Sequence, residues 1–325
     1  MEIKIPYRIN WAGAYLDCIE EPVITSVIDK YITVNSVASL KPIIEITSKE
    51  FNETYIANLE PICPLYKNTW KWTDYVDACI AVFAMNDIKL SKGFKATVDN
   101  DLPCGIGVSS SAAFIIALLK TISYHNKLDL DDSVIASFGY WVEHDALLIP
   151  SGRMDFKAVL HNKGIWKINT DTSDLSSDKC LDTELYNGLL IYKETHNNSS
   201  DLKFLENAVK IRNTKLNLDI NPRTTRYINW EETIVTSIWW RAGENNLSNM
   251  FLGSALVQSN ANLKLWLGLE NQSATIDFNW EGVYGAKIVG SGLRGAYFIL
   301  IDLEKQEEII KKLKEDNWNI IVCNL

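Results

Sequence analysis

The chain has 325 residues, of which 47% are hydrophobic, so it is long enough for two domains that each bury a core. Its formal net charge of −9 disfavours nucleic acid and anionic membrane surfaces as partners, and no apolar run approaches the roughly 20 residues of a membrane-spanning helix. The six cysteines are scattered without a C-x-x-C pair, which argues against a zinc site or disulfide framework and predicts a reducing, cytoplasmic compartment.

Alternating and β-branched stretches predict the first strands, at residues 2–12, 23–28, 31–34 and 43–46. Gly13 is expected to turn the chain after the first of them. Arg8 ends an apolar stretch and Asp17 follows the turn, so on their own these two residues predict no more than a surface ion pair. Apolar residues at helical spacing then predict a helix over 72–83, and its aromatic side chains are expected in the core rather than beside a ligand.

A Pro/Gly/Ser loop between a strand at 94–98 and an apolar run at 112–119 is the most informative stretch. It predicts the order strand, loop, helix, with a serine capping the first turn of the helix. Glycines let a phosphate approach the backbone, helix N–H groups and serine hydroxyls donate to it, and a hydroxyl can also bind Mg²⁺. The pattern indicates a cradle for nucleoside triphosphate, although an ordinary glycine turn before a capped helix also fits. The cradle residues would be Gly105, Gly107, Ser109, Ser110 and Ser111.

Two acids flank the next Pro/Gly loop. A helix predicted over 133–142 ends at Glu143, and Asp155 follows twelve residues later. Phosphoryl transfer needs a carboxylate on the metal and a group that orients or deprotonates the nucleophile, and these acids could divide the two roles. Ordinary solvated charges are the alternative. His144 is expected to pack, while Arg153 is a further candidate cation near the phosphates.

The second half alternates strands and helices. A strand at 164–169 precedes a polar stretch over 169–179, which is interpreted as the junction between domains at 1–175 and 176–325. Strands are then predicted at 189–192 and 318–322, with a strand, glycine loop and strand over 284–301. Helices are predicted over 203–212, 230–240, 247–270 and 304–317.

Four motifs resemble those of the GHMP kinase superfamily, which includes galacto-, homoserine, mevalonate and phosphomevalonate kinases. Pro-x-Gly-x-Gly-x-Ser-Ser-Ser-Ala from Pro103 is similar to the central motif, and Arg-Ile-Asn-x-x-Gly-x-x-x-Asp from Arg8 to the first motif of its sugar kinases. Glu-His followed after five residues by Pro-x-Gly-x-Met-Asp has the galactokinase spacing. Gly-Ala-Lys-x-x-Gly-x-Gly from Gly285 resembles the third motif, which backs the phosphate site from the second domain.

This resemblance implies an α+β protein with two domains, an N-terminal α/β domain with a left-handed βαβ unit and a ferredoxin-like C-terminal domain. It implies a kinase that uses ATP and Mg²⁺ to phosphorylate a sugar hydroxyl, which we predict to be the anomeric one. ATP phosphates would bind the glycine and serine loop. Arg8 and Asp155 would be catalytic, Ser111 and Glu143 would bind Mg²⁺, and Asp17, Gly152 and Asp155 would contact the sugar.

The chain also departs from the galactokinase pattern. Ala14 and Tyr15 stand where galactokinases carry Glu and His, which argues against galactose itself. Phe156 replaces a Gln and is expected to change substrate contacts, and Arg294 replaces a glycine of the third motif. Two alternatives stay open: an inactive relative that senses sugar and ATP, and a kinase for a non-sugar alcohol such as mevalonate.

Overall fold

The computed structural model describes residues 1–60, 71–161, 163–182, 186–193, 199–269, 278–290, 292 and 295–325, with the backbone alone at 199–202. Over these residues the chain forms eleven strands and eight α-helices, arranged around two sheets. The protein is therefore of the α+β class, as predicted. Within the same ranges, no helix combines the length and the apolar character needed to cross a bilayer.

The larger sheet has the strand order β4-β3-β5-β2-β6-β7, and β1 pairs with β2 beside this path. Its strands are β1 Glu2–Ala12, β2 Val23–Ala38, β3 Ile43–Ser48, β4 Glu53–Asn58, β5 Phe94–Asn100, β6 Ile165–Ile168 and β7 Lys179–Asp182. Strands β3 and β5 are parallel, and the other recorded pairs are antiparallel. The left-handed hand of the βαβ unit stays a prediction, as does the boundary at 175, although β7 extends the first sheet to Asp182.

One strand prediction was wrong. The two strands expected at 23–28 and 31–34 form the single strand β2, which is 16 residues long. Asp29 and Lys30 suggest a break because both are polar, but the pairing with β1 continues across them. The register passes from Arg8–Val27 to Pro6–Tyr31, so the extra residues form a bulge instead of a turn.

Four helices accompany the first sheet: α1 Trp72–Met85, α2 Ser110–Asn126, α3 Asp132–Trp141 and α4 Met154–Ala158. Helix α2 lies against β1 and β2, and its residues 112–119 are buried on every side, which explains their continuous apolar character. The side chain of Asp131 caps α3 by accepting a bond from Val134 N at 2.8 Å. A π-helical turn, Val142–Ala146, continues α3 and carries Glu143.

The second sheet has the order β11-β8-β10-β9 with antiparallel pairing throughout. Its strands are β8 Asn187–Tyr192, β9 Val283–Ile288, β10 Tyr297–Ile301 and β11 Asn319–Asn324. Helices α5 Ser199–Lys215, α6 Pro222–Gly243 and α7 Asn249–Leu267 connect β8 to β9, and α8 Gln306–Glu315 connects β10 to β11. This is the β-α-β-β-α-β order of a ferredoxin-like domain, with three helices in the first connection.

The two sheets share buried contacts through β1. Trp11 on β1 meets Phe298 on β10 edge-on, with ring centroids 5.6 Å apart, and its Nε1 donates to Ser26 Oγ at 2.8 Å. The apolar core is continuous from β1 to the second sheet. Strand β1 is thus fixed from both sides, and it is the strand that carries Arg8.

Candidate active site

A cavity of about 640 Å³ opens between β1, the loop before α2, the turn that holds Glu143 and the loop before α4. It contains every residue to which the resemblance assigned a catalytic, phosphate-binding, metal-binding or sugar-binding role, although these residues come from five separate stretches. The selected residues on its wall are Arg8, Asp17, Gly105, Gly107, Ser109, Ser110, Ser111, Glu143, Gly152 and Asp155.

The loop before α2 is a left-handed turn. Gly105 and Gly107 have φ of 81° and 92°, and Ser109 also has a positive φ of 65°. The predicted serine cap does not form: Ser109 occupies the N-cap position, but in this conformation its side chain makes no capping bond. Instead the hydroxyls of Ser109 and Ser110 are buried without a hydrogen-bond partner in the described part of the chain. Such unpaired groups at a helix start suit the oxygens of a bound anion.

A glycine loop of the second domain supports this turn. A Cβ on Gly107 would lie 2.9 Å from the carbonyl oxygen of Val289, and a Cβ on Gly290 would lie 2.6 Å from Gly107 Cα. The two backbones therefore meet where neither residue has a side chain. This contact agrees with the third motif's expected place behind the phosphate loop, whereas Arg294 lies outside the described residues.

Arg8 and Asp155 form a buried pair across 147 residues of sequence. Arg8 Nε and the nearer terminal nitrogen donate to Asp155 Oδ1 at 2.8 and 2.7 Å, and the other terminal nitrogen donates to Gly107 O at 3.1 Å. Arg8 is 4% exposed, while 27% of the Asp155 side chain remains accessible. The surface pair of Arg8 with Asp17 is thus ruled out, because Arg8 is buried and binds Asp155.

Asp17 lies in a short 3₁₀ turn, Leu16–Ile19, and is packed against Gly152. A Cβ on Gly152 would overlap the carbonyl oxygen and the carboxylate of Asp17, so only glycine fits there. Burial, and then the charge of Asp155, raise the pKa of Asp17 to about 7, although the charge of Arg8 partly offsets both. The residue is therefore held at a high local electrostatic cost.

Glu143 is 8% exposed and lies in the π-helical turn. Burial, and then the charge of Asp155, raise its pKa to about 7, while the hydroxyls of Ser111 and Ser151 lower it. No three His, Cys, Asp or Glu side chains gather as metal ligands within the described ranges. Mg²⁺, however, is usually held by one or two carboxylates together with substrate phosphates, so Glu143 beside the Ser111 hydroxyl fits that requirement.

Three other sequence expectations can be compared with the structure. Phe156 does not line the cavity, because it is fully buried against Gly139, and its effect on substrate contacts stays a prediction. Arg153 is also absent from the cavity wall, because it donates to Glu20 and to the carbonyl of Thr170. His144 packs as predicted and stacks on Tyr140 with ring centroids 4.8 Å apart.

Aromatic side chains line both ends of the cavity, and the sequence analysis missed them. At the end near the glycine loop, Trp72 stacks on Phe51 at 6.3 Å, and Tyr75 and Phe114 complete the wall. Trp72 and Tyr75, in the first turn of α1, pack against the core as expected but are only partly buried, and they also line the cavity. At the end near Asp17, Ala14, Tyr15 and Phe204 form an apolar wall in which Tyr15 stacks on Phe204 at 5.6 Å.

Comparison with known proteins agrees with this geometry. Residues 74–163 match the GHMP kinases N terminal domain. This stretch is therefore similar to that domain over 90 residues, from the start of α1 to the end of the loop after α4. The protein is 26% identical over 339 residues to the galactokinase of Thermotoga maritima. This alignment covers 97% of this chain and 92% of that galactokinase. Both the sequence resemblance and the catalytic spacing thus lead to the same superfamily.

Solved structures confirm the fold. Lactococcus lactis galactokinase complexed with galactose superposes with a TM-score of 0.84 at 18% identity, covering 100% of this chain and 93% of the other. Methanococcus jannaschii mevalonate kinase superposes with a TM-score of 0.74 at 20% identity, covering 100% and 98%. Over the described residues, the chain therefore has the fold of these kinases.

Proposed function

We propose that the protein is an ATP-dependent kinase that phosphorylates a sugar hydroxyl. The observation that supports this most directly is the position of the Arg8–Asp155 pair. It lines the same cavity as Ser109 and Ser110, whose hydroxyls have no hydrogen-bond partner among the described residues. A carboxylate for the acceptor and donors for phosphate are the two requirements of phosphoryl transfer. The galactokinase relative of nearly equal length supports a sugar as the acceptor.

Asp155 is suited to orient the attacking hydroxyl and to accept its proton. Arg8 donates only to Oδ1 of Asp155, so Oδ2 can accept a bond from the acceptor. The same guanidinium bonds the Gly107 carbonyl, so its charge lies between the acceptor and the phosphate loop. There it would stabilise the negative charge of the transferred phosphoryl group.

ATP would bind along the wall from the glycine loop to the aromatic end. The positive φ of Gly105 and Gly107 exposes backbone to the triphosphate, and the serine hydroxyls at the start of α2 would donate to its oxygens. The rings of Phe51 and Trp72 offer an apolar surface for the base. Ser111 and Glu143 would hold Mg²⁺, which when bound neutralises charge on the phosphate oxygens.

The acceptor would lie between Asp155 and Asp17. Asp17 would accept a bond from a second hydroxyl, with Gly152 providing the space that this carboxylate occupies. We propose the anomeric hydroxyl as the acceptor. Mevalonate fits less well, because its carboxylate would face Asp17 and Asp155, and Arg8 is already bound to Asp155. An inactive sensor is also less favoured, since both acids and the phosphate loop are intact.

The decisive experiment measures ADP release with Mg·ATP over a panel of free sugars, sugar phosphates and mevalonate. One sugar should be turned over, and Asp155→Asn should lower its kcat by about 10²- to 10⁴-fold because the proton acceptor is removed. Asp316→Asn, which removes an exposed carboxylate at the end of α8, is the matched control and should be as active as the wild type. ATP binding without turnover of any acceptor would support the sensor, and full activity of Asp155→Asn would refute the proposed role.

A further inference from the structure

A buried lysine of the second domain contacts the strand that carries Arg8. Lys287 on β9 is 1% exposed, and its Nζ donates to Asn10 Oδ1 at 2.6 Å and to Asn10 O at 3.2 Å. It is not among the residues that line the cavity, so it cannot touch a ligand there. Both hydrogen bonds of its ammonium group go to Asn10, so Asn10 is the side chain through which Lys287 contacts the site.

Asn10 lies between the strand that carries Arg8 and the helix that carries Asp155. Side chains two residues apart on a strand point to the same face, so Asn10 and Arg8 both face the cavity from β1. The Asn10 amide nitrogen donates to Ala12 O at 3.1 Å and lies 3.2 Å from Met154 Sδ, directly before Asp155. One side chain thus contacts both the strand of Arg8 and the helix of Asp155.

The lysine belongs to a buried polar cluster that fixes the end of β1. Glu231 on α6 is 0% exposed and accepts bonds from Gly13 N at 2.7 Å, Ser259 Oγ at 2.9 Å and Asn262 Nδ2 at 2.9 Å. Tyr227 OH, one turn earlier, donates to Ala14 O at 2.6 Å. The second domain thereby holds Asn10, Gly13 and Ala14, the segment that joins Arg8 to Asp17.

A buried ammonium group is a poor means of gaining stability, because desolvation offsets much of its attraction to other charges. The pKa of Lys287 is lowered to about 8, mainly by burial; the charge of Glu231 partly offsets this, and the charge of Arg8 adds to it. A methionine would fill a similar volume without this cost. The position therefore calls for a donor to Asn10 rather than for bulk alone.

We propose that Lys287 is a positioning residue of the phosphoryl-transfer reaction, which holds Asn10 and through it keeps Arg8 aligned with Asp155. The expected effect on kcat rests on the proposed function, whereas the expected effect on the alignment of Arg8 with Asp155 does not. Without Lys287, Asn10 Oδ1 loses its donor and the side chain keeps only the contacts of its amide nitrogen, so the Arg8–Asp155 pair loses a lateral support. Because small displacements of reacting groups lower rates strongly, the effect belongs in kcat.

Kinetics of Lys287→Met provide the first test. At a temperature well below its Tm, this variant should lose about tenfold to a hundredfold in kcat, with KM for ATP within about twofold. Asn10→Ala should lose a similar amount, and the double variant should lose no more than the worse single one. The control is Lys264→Met on α7, where the lysine lies over the Tyr297 ring 5.5 Å away; it should keep its kcat. Equal kcat for Lys287→Met and wild type, or additive losses in the double variant, would overturn the proposal.

A second measurement needs no substrate and separates this proposal from the assigned activity. In ¹⁵N-arginine-labelled protein, the Nε–H of Arg8 should exchange slowly, because it is buried and donates to Asp155 Oδ1. Loss of the signal in Arg8→Lys assigns it. Exchange should accelerate in both Lys287→Met and Asn10→Ala but not in Lys264→Met. Unchanged exchange in Lys287→Met and Asn10→Ala would refute the positioning role even if no sugar is turned over. If exchange is faster in these variants but the wild type phosphorylates no sugar, the positioning role stands and only the sugar kinase activity is refuted.

Discussion

At the scale of single residues, the cavity holds two aspartates in different surroundings. Asp155 is bound by Arg8, whereas Asp17 is packed against the backbone at Gly152 and its pKa is raised to about 7. Burial of a carboxylate without full compensation is unfavourable for folding, so Asp17 is not explained by stability. Its position opposite Asp155 instead suits the capture of a second acceptor hydroxyl.

Asp17→Asn should therefore increase stability and weaken acceptor binding. The folded state holds the Asp17 proton up to a pKa of about 7, above the ordinary value of 3.8, so between these values the wild type loses stability as the pH rises. We expect the Tm of Asp17→Asn to exceed that of the wild type by a few degrees at pH 8, and the difference to shrink towards pH 4. Thermal unfolding across this range measures it.

The same substitution should raise KM for the sugar acceptor about tenfold or more at pH 8. The reason is that the sugar hydroxyl would then donate its hydrogen bond to a neutral amide oxygen instead of a charged carboxylate. In the wild type, KM for the acceptor should rise as the pH falls below about 7, when Asp17 takes up its proton in the presence of Asp155 and Arg8. The KM for ATP is the internal control. An acceptor KM that is independent of both the substitution and pH would contradict the assignment of Asp17.

At the scale of elements, the short helix α4 depends on an ion pair that lies outside the cavity. Lys157 Nζ bonds Asp178 Oδ1 at 2.8 Å and the carbonyl of Asn169 at 2.6 Å, and both charged side chains are fully buried. Asp178 also binds His161 Nε2 at 2.7 Å. These contacts tie the helix of Asp155 to the loop between β6 and β7.

Lys157→Met should destabilise the protein by about 3–5 kcal/mol, because Asp178 would keep a buried charge without its partner. Lys312→Met removes an exposed lysine that bonds Glu308 at 2.9 Å on α8, and should cost less than about 1 kcal/mol. Urea denaturation of the two variants and the wild type gives their free energies of unfolding, and so compares the same substitution at a buried and at an exposed lysine. A loss below about 1 kcal/mol for Lys157→Met would show that this pair does not hold α4.

Elements whose identity is set locally were predictable from sequence. Asp131 and the apolar stripe after it mark α3, and the glycine spacing marks the phosphate loop, because capping and positive φ depend on adjacent residues. The contacts that complete the site are not local: Lys287 is 277 residues from Asn10 in the chain. Trp72 lines the cavity beside Phe51, which lies between β3 and β4, and no periodicity within α1 predicts that contact.

At the scale of the whole molecule, the glycine loop before α2 packs against the glycine loop after β9, because Gly290 and Gly107 let the two backbones approach closely. Gly290→Ala should raise KM for ATP about tenfold, since its Cβ would lie 2.6 Å from Gly107 Cα and the loops must separate. The Gly107 carbonyl, which binds Arg8, would move with its loop. The acceptor KM should change little, because Asp17 and Gly152 do not contact this glycine pair.

Backbone strain alone would produce a different result, and the chain contains a control for it. Gly290 has a φ of 62°, and Gly268 at the end of α7 has a φ of 73°, so alanine is strained at both positions. A Cβ on Gly268 would come no closer than 3.9 Å to any described neighbour. Gly268→Ala should therefore lower Tm to a similar extent while leaving KM for ATP unchanged. If both variants bind ATP as the wild type does, the domains do not cooperate in holding the phosphate loop, and the first domain alone shapes the nucleotide site.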